Sequence, residues 1–127
     1  MTKKVMFIGA GKYQEPGLLR AKLMGLFVIA TDGDPSAPGL KSADLSYVLD
    51  VRDIESNLKV ARDNSIDGVL TIASDACLKT VGTIATELKL PGTKLDVIRR
   101  CTDKELMRKS FVENRLPSPV SFAVFSY

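Results

Sequence analysis

Two stretches of this sequence carry residues whose types and spacing suit small-molecule chemistry. The first is Gly9-Ala10-Gly11-Lys12-Tyr13-Gln14-Glu15-Pro16, directly after the apolar run Val5–Ile8. A strand ending in Gly-x-Gly and turning into a helix aims backbone N–H groups at a ligand. The dinucleotide fingerprint has a third glycine where this chain has Gln14, and that glycine normally lets helix and strand pack closely beside a pyrophosphate. Glu15 at the helix start would also repel a phosphate. The loop therefore suits a polar or amine-bearing small molecule better than a dinucleotide, and a tight turn without a ligand stays open. The second stretch, Thr102-Asp103-Lys104-Glu105, reads as a capping box in which Thr102 and Glu105 satisfy each other's amides. It places Lys104 in a first helical turn, where a lysine does not serve the helix dipole but can meet a phosphate. A plain surface lysine is the other reading.

Two acids stand where a ligand of the glycine loop could reach them. Asp32 ends the second apolar run, at a spacing from Gly11 close to the roughly 20 residues that separate glycines and ribose-binding acid in nicotinamide enzymes. Asp32-Gly33 and Asp34-Pro35 are also turn chemistry, so both readings stand. Asp75 follows Ser74 after the fourth apolar run, where helix capping alone explains the pair.

These residues need a scaffold, and the chain alternates strand and helix signals along most of its length. Val5–Ile8, Phe27–Ala30, Tyr47–Leu49 and Gly68–Ala73 are short apolar runs of the kind buried on both faces. Pro16 suits a first helical position and Gly25 a helix stop. Leu19 and Leu23 share one helix face, Asp53 caps a helix carrying Ile54, Leu58 and Ala61, and Cys77, Val81, Ile84, Ala85 and Leu88 line the next. Asp32–Gly39 reads as a loop and Leu90–Gly92 as a short extended piece. Leu95 and Ile98 mark one helix, and Leu106, Met107 and Phe111 another. The pattern predicts an α/β, Rossmann-like three-layer sandwich with a mostly parallel sheet of four to five strands. Leu116–Pro119 marks a boundary. The expected organisation is a domain over 1–116, then a linker and the first strand of a truncated neighbour over 117–127, with Val120–Phe125 as that strand.

Composition narrows the chemistry. The 127 residues are 45% hydrophobic and 26% charged, an ordinary globular balance. With no histidine, a Ser-His or Cys-His pair is ruled out within the chain. Cys77 and Cys101 both fall on amphipathic segments and read as small core residues, although a disulfide between them stays open. Aromatics at 6%, without Trp, supply few stacking platforms, which argues against nucleic acid despite the basic cluster Arg99–Arg115. No apolar run reaches the roughly 20 residues needed to span a membrane. The start of the sequence carries no signal-peptide pattern, so a cytoplasmic setting is expected.

Taken in order, Gly9-x-Gly11-x-x-Gln14, Ala21-Lys22-x-x-Gly25, Val28-Ile29-Ala30-Thr31-Asp32-x-Asp34-Pro35, Ala37-Pro38-Gly39 with Ala43-Asp44, Asp67-Gly68-Val69, Leu88-x-Leu90-Pro91-Gly92, Thr102-Asp103-Lys104 and Leu116-Pro117-x-Pro119 resemble the N-terminal, pre-ATP-grasp domain of ATP-grasp enzymes. The likeness is to the branch holding the carbamoyl-phosphate synthase large subunit and the purine-pathway carboxylate–amine ligases. It implies a parent enzyme in which ATP and Mg turn a carboxylate into an acyl phosphate that an amine then displaces. It implies substrate-side roles for Gly9, Gly11, Gln14, Glu15, Asp32 and Asp75, and an ATP-phosphate contact for Lys104. The family's Mg ligands and adenine-binding segment lie further along than this sequence runs, so the resemblance implies no catalytic or metal-binding residue here and no firm ATP binding by this chain alone. The expected partners are a small carboxylate or amine, with a homodimer allowed and no membrane. Two other readings remain: a small nicotinamide-binding module, and a non-catalytic dimerisation domain.

Overall fold

Short apolar runs bounded by turn residues become parallel strands when both faces are covered. In the computed structural model, which describes residues 1–125, four of them do. The chain runs β1 (Lys4–Ile8), α1 (Glu15–Leu23), β2 (Phe27–Asp32), α2 (Pro38–Ser42), β3 (Leu45–Val48), α3 (Ile54–Asn64), β4 (Gly68–Leu70), α4 (Asp75–Glu87), α5 (Leu95–Thr102) and α6 (Lys104–Glu113). The sheet is all parallel, in the order β3-β2-β1-β4. Thus the chain builds outward from β1 to β3, then returns to the other side of β1. The crevice between the carboxyl ends of β1 and β4 is a topological switch point, the usual ligand position in such sheets.

Alternation along the strands makes two cores. Met6, Ile8 and Ile29 pack with Val60, Ala61, Ile84 and Ala85 of α3 and α4, while Phe7, Val28 and Ala30 pack with Leu18, Ala21 and Leu40 of α1 and α2. The three-layer Rossmann-like architecture is thereby as expected, with four strands. Each fully buried large side chain among these contributes about 1.5–3 kcal/mol.

Several local expectations fail. Leu19 and Leu23 do share one face of α1, but it is the outward one, Leu23 being 80% exposed, while Leu18 and Ala21 face the core. Part of the expected 32–39 loop feeds α2, which Pro38 starts from the first turn. Leu90–Gly92 forms no strand. Cys77 is buried, but Cys101 is exposed, and the two are free thiols. Residues 116–125 have no regular structure, so the Val120–Phe125 strand is absent: Val120, Phe122 and Phe125 each stand 86% exposed, with no ladder to pair them. Strand pattern without a neighbouring strand is not enough to fix a strand. The last two residues of the 117–127 segment lie outside the described residues.

The capping box is displaced by one residue. Thr102 ends α5, donating its hydroxyl to Ile98 O at 2.9 Å. Asp103 is the sole residue between α5 and α6. Its Oδ1 accepts from Glu105 N at 2.9 Å and Leu106 N at 3.1 Å. A carboxylate caps more strongly than a hydroxyl here because it takes two amides and opposes the positive helix end.

Candidate functional site

The glycine loop between β1 and α1 is held at four points. Gly9 N donates to Thr31 O at 2.8 Å, with Gly9 at φ +91°, a conformation that only glycine adopts without strain. Ala10 N donates to Asp32 Oδ2 at 2.7 Å. Ala10 O accepts from Gly39 N at 2.7 Å, and a Cβ on Gly39 would stand 2.6 Å from that oxygen. Gln14 Nε2 donates to Ile72 O at 2.6 Å. The loop is thus tied to β2, to α2 and, across the switch point, to the segment after β4. Among the described residues, the amides of Gly11, Lys12 and Tyr13 have no acceptor. They remain available to a ligand oxygen.

The sequence-derived candidates do different work in this frame. Gly9 and Gly11 form the loop itself. Gln14 is 8% exposed and lies beneath it, with Oε1 3.0 Å from where a Gly11 Cβ would be. Glu15 accepts from Ser42 Oγ at 2.6 Å, which ties α1 to α2. Asp32 uses both oxygens on backbone amides, since Oδ1 also accepts from Asp34 N at 2.9 Å. It is therefore a loop staple, and a ribose diol would have to displace these bonds. Asp75 is the first residue of α4 and is exposed, at the same edge of the sheet as the glycine loop. Ser74 precedes it without a side-chain cap bond. Ala73, just before, adopts φ +54°, a costly conformation for alanine that sets the path of this second loop.

Sequence reasoning missed Asn57, Thr31 and Gly39. Asn57 is fully buried on α3; it accepts from Thr31 Oγ1 at 2.7 Å and donates to Asp50 O and Asp53 O at 2.9 and 2.7 Å. Because Thr31 O holds Gly9, Asn57 supports the glycine loop from behind. A polar residue in the middle of the inward stripe of an amphipathic helix was the available signal. Gly39 was visible as turn chemistry and as part of the Ala37-Pro38-Gly39 motif, without a role at the glycine loop.

Lys104 belongs to a different place. It lies on α6, which packs on α5, and it lines a groove of about 770 Å³ with Arg108, Lys109, Val112, Phe122 and Phe125. Three cations beside apolar walls fit a phosphate-bearing ligand, although Glu105 and Glu113 share the lining. Asp103 occupies the α6 amides, so a phosphate there would meet side-chain cations rather than the helix end. Among the described residues no group of three or more His, Cys, Asp or Glu could hold a metal.

No family model matches the chain. Formate-dependent phosphoribosylglycinamide formyltransferase of Prochlorococcus marinus subsp. pastoris is 35% identical over 70 residues, which are 55% of this chain and 18% of that protein. The Bacillus subtilis protein of the same name is 29% identical over 82 residues, 61% of this chain and 21% of its own length. The chain thus spans about a fifth of these curated relatives. Among solved structures, phosphoribosylglycinamide synthetase from Anaerococcus prevotii superposes with a TM-score of 0.80 and 28% identity, over 91% of this chain and 30% of that one. The fold is that of the pre-ATP-grasp domain of ATP-grasp ligases. An L-amino acid ligase from Bacillus licheniformis shares the pre-ATP-grasp fold at TM-score 0.77 and 23% identity, over 94% of this chain and 32% of its own. The tie made by Gln14 and the staple made by Asp32 set the loop apart from a dinucleotide-binding loop, in which a glycine and a free ribose-binding acid stand at these places.

Proposed function

We propose that this chain is the substrate-side N-terminal domain of an ATP-dependent ligase that joins a carboxylate to an amine through an acyl phosphate. The observation that carries this reading is the glycine loop. It is fixed at four points, opens at the switch point, and leaves three backbone amides for a small ligand. The similarity to phosphoribosylglycinamide synthetase and to the formyltransferases supports the reaction class. Gly9, Gly11 and Gln14 line the acceptor side with Asp75 opposite, while Glu15 and Asp32 hold the loop. Lys104, with Arg108 and Lys109, fits the polyphosphate of ATP.

ATP with Mg, when bound in the complete ligase, supplies the phosphoryl group that activates the carboxylate. This chain's part is to bind and orient. Backbone amides at the loop accept no proton and so hold a carbonyl or carboxylate oxygen at constant charge. Lysine and arginine on α6 offset phosphate charge. Without the metal-holding segments of the family, the chain alone is inactive and holds ATP weakly.

The test is ADP release with panels of carboxylates and amines, run on this chain and on any longer polypeptide that contains it. The expected result is release only by the longer protein, and only with both substrates. ADP release by the 127-residue chain would overturn the assignment of inactivity. A longer protein that consumes ATP with neither substrate would overturn the ligase reading.

Two further expectations accompany it. A homodimer is supported by the outward apolar side of α1, where Leu19, Leu23 and Met24 are exposed. A sizing column tests it. Two free thiols suit a reducing, cytoplasmic setting. No helix of the described residues is long and apolar enough to cross a membrane.

A further inference from the structure

Gln14 stands where a dinucleotide-binding loop has its third glycine, and it is both buried and half used. Its Nε2 is spent on Ile72 O at 2.6 Å, which joins the two loops that flank the β1–β4 crevice. Its Oε1 has no donor among the described residues and lies against Gly11, 3.0 Å from a Cβ position. That oxygen is not sealed in, since Thr71 Oγ1 alone is a buried side-chain atom without a partner among the described residues. An acceptor held in place by a buried side chain and open to the crevice is ready to take a hydrogen bond from a ligand. The carboxamide also fills the room that a third glycine leaves beside a pyrophosphate. Asp32 reinforces this, because both of its oxygens already accept backbone amides that a ribose diol would have to displace.

We infer that Gln14 sets the specificity of the switch-point crevice: it closes the crevice to a nucleotide pyrophosphate and offers Oε1 to a small ligand that donates a hydrogen bond, an amine. The inference rests on the reading that this crevice faces the amine of a ligase. Carboxylate recognition through the Gly11–Tyr13 amides is compatible with it, but would not depend on the Gln14 oxygen.

The experiment follows backbone amide NMR shifts of the 127-residue chain during titration with glycinamide, and separately with NAD. Glycinamide is expected to move signals of Gly9–Tyr13 and Ile72–Asp75, while NAD moves none. Gln14→Met removes the acceptor at similar size and is expected to weaken glycinamide binding about tenfold. Gln14→Glu keeps an acceptor oxygen but loses the donor to Ile72, and is expected to retain binding. If Gln14→Met does not fold, Gln14→Glu decides: retained binding supports the inference and lost binding overturns it. NAD shifting the loop signals, glycinamide leaving them unmoved, or Gln14→Met binding as well as the parent chain would each overturn it. A glycinamide response from this chain, beside a longer protein that makes no ADP, would leave the inference standing and sink the ligase reading instead.

Discussion

The two ends of this chain hold their functional residues by different means. At the glycine loop, each position is set by groups distant in sequence: Thr31, Asp32, Gly39 and Ile72 all bond to residues 9–14. Around Lys104, the described bonds are local. Asp103 caps its own helix, and Arg108 reaches only Ser118 Oγ, at 3.1 Å. α6 buries no residue, whereas β1 contributes Met6, Phe7 and Ile8 to two cores. The loop is pre-organised by the fold, and the lysine groove is shaped by a helix and an unpaired segment. The proposed acceptor side is thus the rigid one, and the proposed phosphate side the adaptable one.

If the loop owes its shape to distant bonds, breaking the most buried of them should cost most. Asn57→Ala leaves the buried Thr31 hydroxyl without its acceptor, opens a cavity in the core and removes a second donor from Asp50 O and Asp53 O, which keep their backbone amides, so it is expected to lower unfolding free energy by about 3 kcal/mol in urea titrations. A loss under about 1 kcal/mol would mean that the loop does not lean on this network. Gly39→Ala forces a methyl against Ala10 O, with an expected cost of about 2 kcal/mol by the same measurement. Hydrogen exchange should speed at the bonded amides of Gly9 and Ala10 before it does at α6.

On the other side of the comparison, Asp103→Ala removes a cap from α6 and is expected to cost about 1 kcal/mol, read as lost helical signal at 222 nm or so in circular dichroism. Acid should act on the sheet half. Hydrogen bonds from Lys22 and from Val28 N hold the Asp44 carboxyl below its ordinary value, and the amide of Lys4 with the Lys3 ammonium does the same for Asp67. A depressed folded-state pKa stabilises above the ordinary carboxylate value and ceases to do so as pH falls through the depressed one. Stability should therefore be level near neutral pH and decline below the ordinary value of 3.8. Asp44→Asn should flatten part of that decline in a pH series of urea midpoints. The smallest effect belongs to the tail: Phe122→Ser, at a side chain without cover, is expected to change stability by less than about 0.5 kcal/mol. A larger loss would show that residues 116–125 are packed more firmly than their exposure indicates.

Local pattern was enough where one residue's neighbours in sequence are also its physical partners. Pro16 near the start of α1, Gly25 at its end with φ +79°, and the Asp53 cap bonding Ser56 N all follow from short-range sterics and hydrogen bonding. The same logic misplaced the α6 cap by one residue, because Thr102 and Asp103 are both good caps and only the path of α5 assigns the first to its own last turn. It could not fix Val120–Phe125, whose apolar residues would need a strand or a second surface beside them to form a strand.

The sequence by itself determined the parallel α/β layout, since buried runs separated by amphipathic helices have few other solutions. It also singled out Gly9, Gly11 and Gln14, because departures from a glycine pattern are visible in one dimension. Tertiary structure alone decided what the polar groups do. Asp32 had the spacing of a ribose-binding acid and became a staple for Ala10; Gln14 had the place of a glycine and became a tie to Ile72. Whether a carboxylate or carboxamide is free for a ligand depends on which amides and carbonyls the folded chain brings within about 3 Å of it, and those come from strands and loops far away in sequence.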